Sequence, residues 1–332
     1  MSRPTDLSSL RMPAASDVGF KPVPEGLVAS VHVVRAGEIL VPTSRLMARP
    51  PIDGPASIPL PVFAFVITHP SGRRVVFDLG LKADISLYSP DILEFVASTM
   101  PSTPPRADVA HLLVDAGMDL ASVEAVVFSH AHFDHTGTIA LFPPSTSLIH
   151  GPGGLSCLPG YPENPNASPI TVDIAPTDRS VRELGASDKW VHVGAFRGVD
   201  YFGDGSFHIL DAPGHMRGHL TALVRTSTAP DTFLLLGGDA AHMRGLYSCP
   251  CSMTVGIFDG GCMHADLAVA YDTMAKVARM EQEDNICVVL SHDKEWAEVL
   301  GAGWQVADIS DWKAKGYKDK VADAEQAARY WI

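Results

Sequence analysis

The chain is poor in cysteine, in cations and in long apolar runs, and each shortage removes a class of protein. Five cysteines among 332 residues form an odd, scattered set, which does not read as a disulfide framework and points to a reducing, cytoplasmic compartment. Only Cys249-Pro250-Cys251 brings two thiols close, and with no matching pair elsewhere it does not complete a soft-metal site. Lys and Arg number 25 against 38 Asp and Glu, and the resulting net charge of -13 repels nucleic acid. No apolar stretch follows Met1-Ser2-Arg3-Pro4-Thr5-Asp6 as an export signal requires, and none approaches the roughly 20 residues that cross a bilayer. The partner this leaves is a small molecule, with no nucleic acid and no membrane. Monomer and homodimer both remain open.

Apolar residues make up 46% of the chain, enough for one large core. Residues 1–26, rich in Pro, Ser and Arg, are expected to form an N-terminal arm, and residues 27–332 a single domain. Strands are predicted at 27–34, 62–68 and 74–78, the last two joined by a hairpin turn at His69-Pro70-Ser71-Gly72. Helical spacing marks 90–99, 108–117 and 264–283, and another helix is expected to begin at His135-Thr136-Gly137. A Pro-rich loop insertion is read at about 143–200, where Leu155, Leu158, Tyr161 and Phe196 are expected to wall a substrate site. A structured loop without ligand contact is the other reading.

The densest chemistry is His130-Ala131-His132-Phe133-Asp134-His135, directly after the apolar run Val123-Glu124-Ala125-Val126-Val127-Phe128. A buried strand that delivers three imidazoles and a carboxylate to its end can hold them still. Neutral imidazole with carboxylate is the ligand set of zinc and its neighbours. In an extended or tightly turning segment, His130 and His132, two apart, can converge on one ion.

This HxHxDH cluster resembles the signature of the metallo-β-lactamase superfamily, and further motifs follow in the family's order. They are Asp211-Ala212-Pro213-Gly214-His215, Gly237-Gly238-Asp239 and Leu290-Ser291-His292-Asp293. The resemblance implies an α/β fold, the metallo-β-lactamase αββα four-layer sandwich. It implies two divalent metal ions, zinc before iron or manganese, with His130, His132 and His215 on one, Asp134, His135 and His292 on the other, and Asp239 bridging. Asp78, ending a strand in Asp78-Leu79-Gly80, is then expected to accept a hydrogen bond from a ligand imidazole, or alternatively to cap the turn. His219 is assigned to support of the site or to packing.

The group within the family that the sequence most resembles is the N-acyl-homoserine-lactonase-like one. That resemblance implies a metal-dependent hydrolase of lactonase or esterase type, in which a hydroxide bridging two ions opens an ester-like carbonyl, foremost a lactone. Asp134 is read as ligand alone or as ligand and proton donor to the leaving oxygen. His242 stands where those lactonases carry a substrate-holding tyrosine, and is read either as a catalytic donor or as a core imidazole. Thioester hydrolysis, of glyoxalase II-like or polyketide-releasing type, is the alternative, weakened because no dense Lys/Arg cluster lies near the motifs. An iron redox enzyme and a non-enzymatic metal-binding module rank below it.

Overall fold

The computed structural model describes residues 11–47, 54–154, 178–248, 253–254 and 263–327. Among them, the apolar runs form two sheets. One contains β1 (Ser30–Pro42), β2 (Ser57–Thr68), β3 (Arg74–Phe77), β4 (Ser102–Thr103), β5 (Val123–Val127), β6 (Ser147–His150), β7 (Val181–Glu183) and β14 (Val306–Asp308). Its order is β14-β1-β2-β3-β5-β6-β7, with β4 paired to β1. The other contains β8 (Trp190–Val193), β9 (Phe196–Asp200), β10 (Phe207–Asp211), β11 (Leu220–Thr228), β12 (Asp231–Leu236) and β13 (Ile286–Val289), in the order β13-β12-β11-β10-β9-β8. The helices are α1 (Thr43–Leu46), α2 (Pro90–Ser98), α3 (Val109–Asp115), α4 (Phe133–Thr136), α5 (Arg244–Ser248), α6 (Leu267–Glu281), α7 (Lys294–Leu300) and α8 (Tyr317–Ala327).

Strand alternation sorts the side chains into layers. Phe63, Phe65 and Ile67 of β2 face Ile209 of β10, Ala222 of β11 and Leu234 of β12 in a core between the sheets. The intervening Ala64 and Val66 point the other way and pack with Ala110 and Leu113 of α3. On the far face of the second sheet, Leu210, Leu223 and Leu235 pack with Met274 and Val277 of α6. The result is an α/β sandwich in which both sheets are covered on both faces, so the strands read as almost continuous apolar runs.

The hairpin at His69-Pro70-Ser71-Gly72 forms as predicted, with β2 and β3 antiparallel and Gly72 at φ 87°. Helix α2 begins behind Ser89, whose side chain accepts from the Ile92 N–H, and α6 behind Asp266, which accepts from Val269 N–H. The helix expected from His135 onward differs: α4 is a single turn that has already ended at Thr136. Gly137 follows at φ 41°, and a Cβ there would lie 2.5 Å from the Leu79 carbonyl oxygen. The chain turns there because it is pressed against the end of β3, where Gly137 N–H donates to Gly80 O.

Of the arm, the described residues pack on the body: Lys21 pairs with Gly194, and the Arg279 guanidinium lies 4.6 Å from the Phe20 ring centroid. Within 143–200 the described residues supply β6 to β9. Phe196 is buried in the core rather than at a substrate wall, because as the first residue of β9 it faces α6, with Lys276 Nζ over its ring. Leu155, Leu158, Tyr161 and the Cys249/Cys251 pair lie outside the described residues. No helix among the described residues is long and apolar enough to cross a membrane.

Candidate metal centre

Every residue of the implied ligand set sits just past the end of a strand. Ser129 to His135 follow β5, His215 follows β10, Asp239 follows β12 and His292 follows β13. Because β3 and β5 are parallel, as are β12 and β13, these carboxyl ends come to one rim of the sandwich. Spacing along the chain is therefore no guide to spacing in space, and residues 130 and 292 share a site.

Two groups form there. His130 Nε2 lies 2.8 Å from His132 Nδ1 and 3.2 Å from His215 Nε2, and the last two are 3.1 Å apart. Asp239 Oδ2 completes this group at 3.6 Å from His215 Nε2 and 3.9 Å from His130 Nε2. Asp239 Oδ1 belongs to the second group, 3.4 Å from both His135 Nε2 and His292 Nε2. Asp134 Oδ2 closes it at 3.5 Å from His292 Nε2 and 3.8 Å from His135 Nε2. One carboxylate thus turns an oxygen to each group.

Hydrogen bonds on the outer sides of the rings fix which nitrogen faces inward. The buried Asp78 carboxylate accepts from the Ser129 N–H (2.7 Å) and the Ser129 hydroxyl (2.7 Å), and lies 2.9 Å from His135 Nδ1. Having donated its proton to Asp78, Ser129 Oγ is left to accept from His130 Nδ1 at 3.0 Å. His292 Nδ1 donates to the Pro61 carbonyl at 2.9 Å. In all three rings Nδ1 is engaged on the outer side and Nε2 is the nitrogen that faces the centre. Asp78 holds this position at φ 62°, a left-handed conformation that a non-glycine residue adopts at a cost of about 1–3 kcal/mol.

Asp239 is held by its backbone. Its N–H donates to His219 Nε2 at 2.9 Å, while His219 Nδ1 donates to Ala212 O at 2.9 Å. Gly238 has φ 54°, and a Cβ there would meet His219 Nε2 at 2.8 Å, so only glycine lets the two approach. Beyond the centre, buried Arg244 donates to Val288 O (3.0 Å) and pairs with Asp293 Oδ2 (3.2 Å) and Glu281 Oε1 (3.1 Å). Asp293 adjoins His292 and caps α7, accepting from Trp296 N–H at 3.2 Å, so this ion pair ties the His292 turn to α5 and α6.

The electrostatics divide in the same way. Burial, reinforced by neighbouring imidazoles, pushes His130 well below its ordinary pKa; burial lowers His132 to about 4 and lowers His215 strongly. For His135 and His292 burial works in the same direction, but Asp239 and Asp134 outweigh it and raise both. Burial opposes ionisation of Asp239, yet His292 and His135 hold it well below the usual carboxylate range.

These donors fit a pair of divalent ions. Ligands about 2.0–2.1 Å from a tetrahedral ion stand roughly 3.3 Å apart, close to the separations found. Both His135 Nε2 and Asp239 Oδ1 are buried without a hydrogen-bond partner among the described residues, which is costly unless something else satisfies them. The first group has four donor side chains and the second three, with Asp239 Oδ1 beside it, while His215, His242 and His264 form a third set that shares His215 with the first.

An open pocket lies on the centre, bordered there by His132, Asp134, His215, Asp239, His242 and His292. Its remaining walls are Ile39, Phe95, Met100, Phe133, Met263 and Arg45. His242 thus faces the cavity, with Nε2 3.4 Å from Asp239 Oδ2. Sequence reasoning missed Ser129, Arg45 and His264, whose ring centroid lies 5.2 Å from that of His215 and 5.3 Å from that of His242. Ser129 was within reach, as the residue joining the strand to the cluster; nothing local marked the other two.

The Metallo-beta-lactamase superfamily profile matches residues 57–251, and the chain belongs to that family. It is similar to metallo-hydrolase mfmC of Annulohypoxylon moriforme, 36% identical over 79% of this chain and 78% of that protein. Gamma-lactamase FDB1 of Fusarium pseudograminearum (strain CS3096) is 32% identical over 84% of this chain and 77% of its own length. A cytochrome P450 monooxygenase of Penicillium brevicompactum, mpaDE', is 33% identical over 90% of this chain, which spans only 37% of that protein. In fold the chain resembles an N-acyl homoserine lactone hydrolase solved with the product N-hexanoyl-L-homoserine at its catalytic metal center. The TM-score is 0.58 at 16% identity, over 82% of this chain and 96% of the other.

Proposed function

We propose that this chain is a binuclear metal-dependent hydrolase that opens a cyclic ester. The observation that carries the reading is the position of Asp239, with Oδ2 toward His130, His132 and His215 and Oδ1 toward Asp134, His135 and His292. When bound, a pair of divalent ions supplies activation of water and polarisation of a carbonyl oxygen. The side chains do the rest. Asp78 and Ser129 hold the rings of His130 and His135 in register, and the apolar walls seat the substituent of the ring and exclude bulk water. His242, facing the cavity beside Asp239, donates a hydrogen bond to the substrate carbonyl. Asp134, on the same border, takes the proton released by the attacking water and passes it to the leaving oxygen.

A cyclic amide is the second reading, favoured by the gamma-lactamase relative, since the same groups serve a nitrogen leaving group. The first test is metal analysis of purified protein by mass spectrometry, with the expectation of two zinc ions per chain. The second is a panel of lactones, lactams and thioesters assayed before and after chelation. Lactone turnover that chelation abolishes and zinc restores supports the proposal; thioester-only turnover, or activity indifferent to chelation, defeats it.

A further inference from the structure

His242 and His292 flank the Asp239 carboxylate, His242 Nε2 lying 3.4 Å from Oδ2 and His292 Nε2 3.4 Å from Oδ1. Their rings are nearly parallel, at 13°, with centroids 6.1 Å apart. Neither stands on a strand: His242 precedes α5, and His292 lies in the turn between β13 and α7. One buried side chain spans the two segments. Arg244 is the first residue of α5, two positions past His242, and its Nη1 donates to Asp293, the residue after His292, at 3.2 Å and to Val288 O on β13 at 3.0 Å. Its Nη2 donates to Glu281, the last residue of α6, at 3.1 Å, and the other oxygen of Glu281 accepts from the Tyr247 hydroxyl at 3.3 Å. Asp293 is fixed in turn, accepting from Leu290 N–H and Trp296 N–H, both at 3.2 Å, on either side of the His292 turn.

We propose that Arg244 is a positioning residue, which sets His242 against His292 from outside the pocket and so fixes where the substrate carbonyl is held relative to the metal centre. Arg244 does not itself border the pocket. A buried ion pair adds little to stability over apolar packing, because both charges must leave water, but its directional bonds select one geometry. Arginine suits the task because its rigid fork of donors reaches α6, β13 and the His292 turn at once, which the single ammonium of lysine does not reproduce. A shift of about 1 Å at a group that touches the substrate can cost roughly 10²-fold in rate. The inference rests on the hydrolase reading for the role of His242 and adds a residue on which that role depends.

The test uses zinc-loaded native protein, Arg244→Lys, His242→Phe and the double variant. In lactone turnover, Arg244→Lys is expected to lower kcat by ~10- to 100-fold with KM changed by less than about 3-fold. In the His242→Phe background the same substitution is expected to cost less than about 3-fold further, because the two act as a unit. Leu113→Ala, a truncation in the α3 layer, is the control for loss of stability alone and should leave kcat near native. A readout without turnover is ring 15N NMR of the histidines, in which Arg244→Lys should move the signals of His242 and His292 and leave those of His130 and His132 in place. If Arg244→Lys does not fold, Glu281→Gln loosens the guanidinium without removing it and should act in the same direction more weakly. Equal losses with and without His242, losses matched by Leu113→Ala, or unmoved His242 and His292 signals overturn the proposal. If native protein opens no lactone while those two signals move as stated, the hydrolase reading has failed and the Arg244 assignment stands.

Discussion

The two sheets contribute to the centre in different ways. The first gives four ligand candidates, His130, His132, Asp134 and His135, from one short turn after β5, and a single carboxylate, Asp78, supports that turn directly and through Ser129. The second gives His215, Asp239 and His292 from three separate strand ends, each with its own support: α6 against the His215 turn, His219 against Asp239, and Pro61 with the Arg244–Asp293 pair at His292. One half is set by local geometry and the other by the packing of β10, β12 and β13. A change in the first half should therefore act through metal affinity, whereas in the second it should also be felt as stability.

The largest effect is expected at the residue that joins the halves. If the proposed two-ion reading holds, Asp239→Asn should lower kcat/KM by about 10³-fold or more, because this carboxylate would serve both ligand groups, and metal content should fall below two per chain. A variant that keeps two ions and near-native rate would remove the bridge from the comparison.

The next effect belongs to the second half. Burial, with Asp293 beside it, raises Glu295 to about 7 from an ordinary 4.5. A carboxyl whose pKa is raised on folding binds its proton more tightly in the folded state, so its contribution to stability is best below about 4.5. It is lost as pH rises to about 7 and is level above that. Glu295→Gln should flatten this slope and stabilise the protein at pH 8 by up to about 3 kcal/mol, read from urea midpoints across pH 4.5 to 8. An unchanged slope would show that the second half does not carry this cost.

The smallest effect falls on the first half. Asp78→Asn should weaken metal retention by ~10- to 100-fold in chelator competition while leaving the packing of the second sheet intact. Equal loss of metal and of unfolding free energy would erase the difference drawn between the halves.

The sequence made the first half legible because its donors are neighbours and the period of an extended chain, two residues, is enough to aim His130 and His132 together. The hairpin at His69 to Gly72 and the capped starts of α2 and α6 were legible for a similar reason, since turn and cap chemistry acts over a few residues. His215, Asp239 and His292 were reached through the order of family motifs, which carries no geometry. The single turn of α4 was missed because its stop at Gly137 comes from contact with Leu79, 58 residues earlier in the chain. Phe196 was misplaced because an aromatic in a Pro-rich stretch gives no sign of which face of a strand it will take. Arg45 and His264 carried no local signal at all.

By itself, then, the order of residues determined the donor chemistry, the longer apolar strands and amphipathic helices and the anionic character of this protein, all of which follow from composition and short-range period. Tertiary structure decided that Asp239 divides its oxygens between two groups, and that Asp78 reaches the His135 ring directly and the His130 ring through Ser129. Those outcomes depend on strand ends far apart in the chain arriving at one rim, and only the packing of two sheets face to face brings them there.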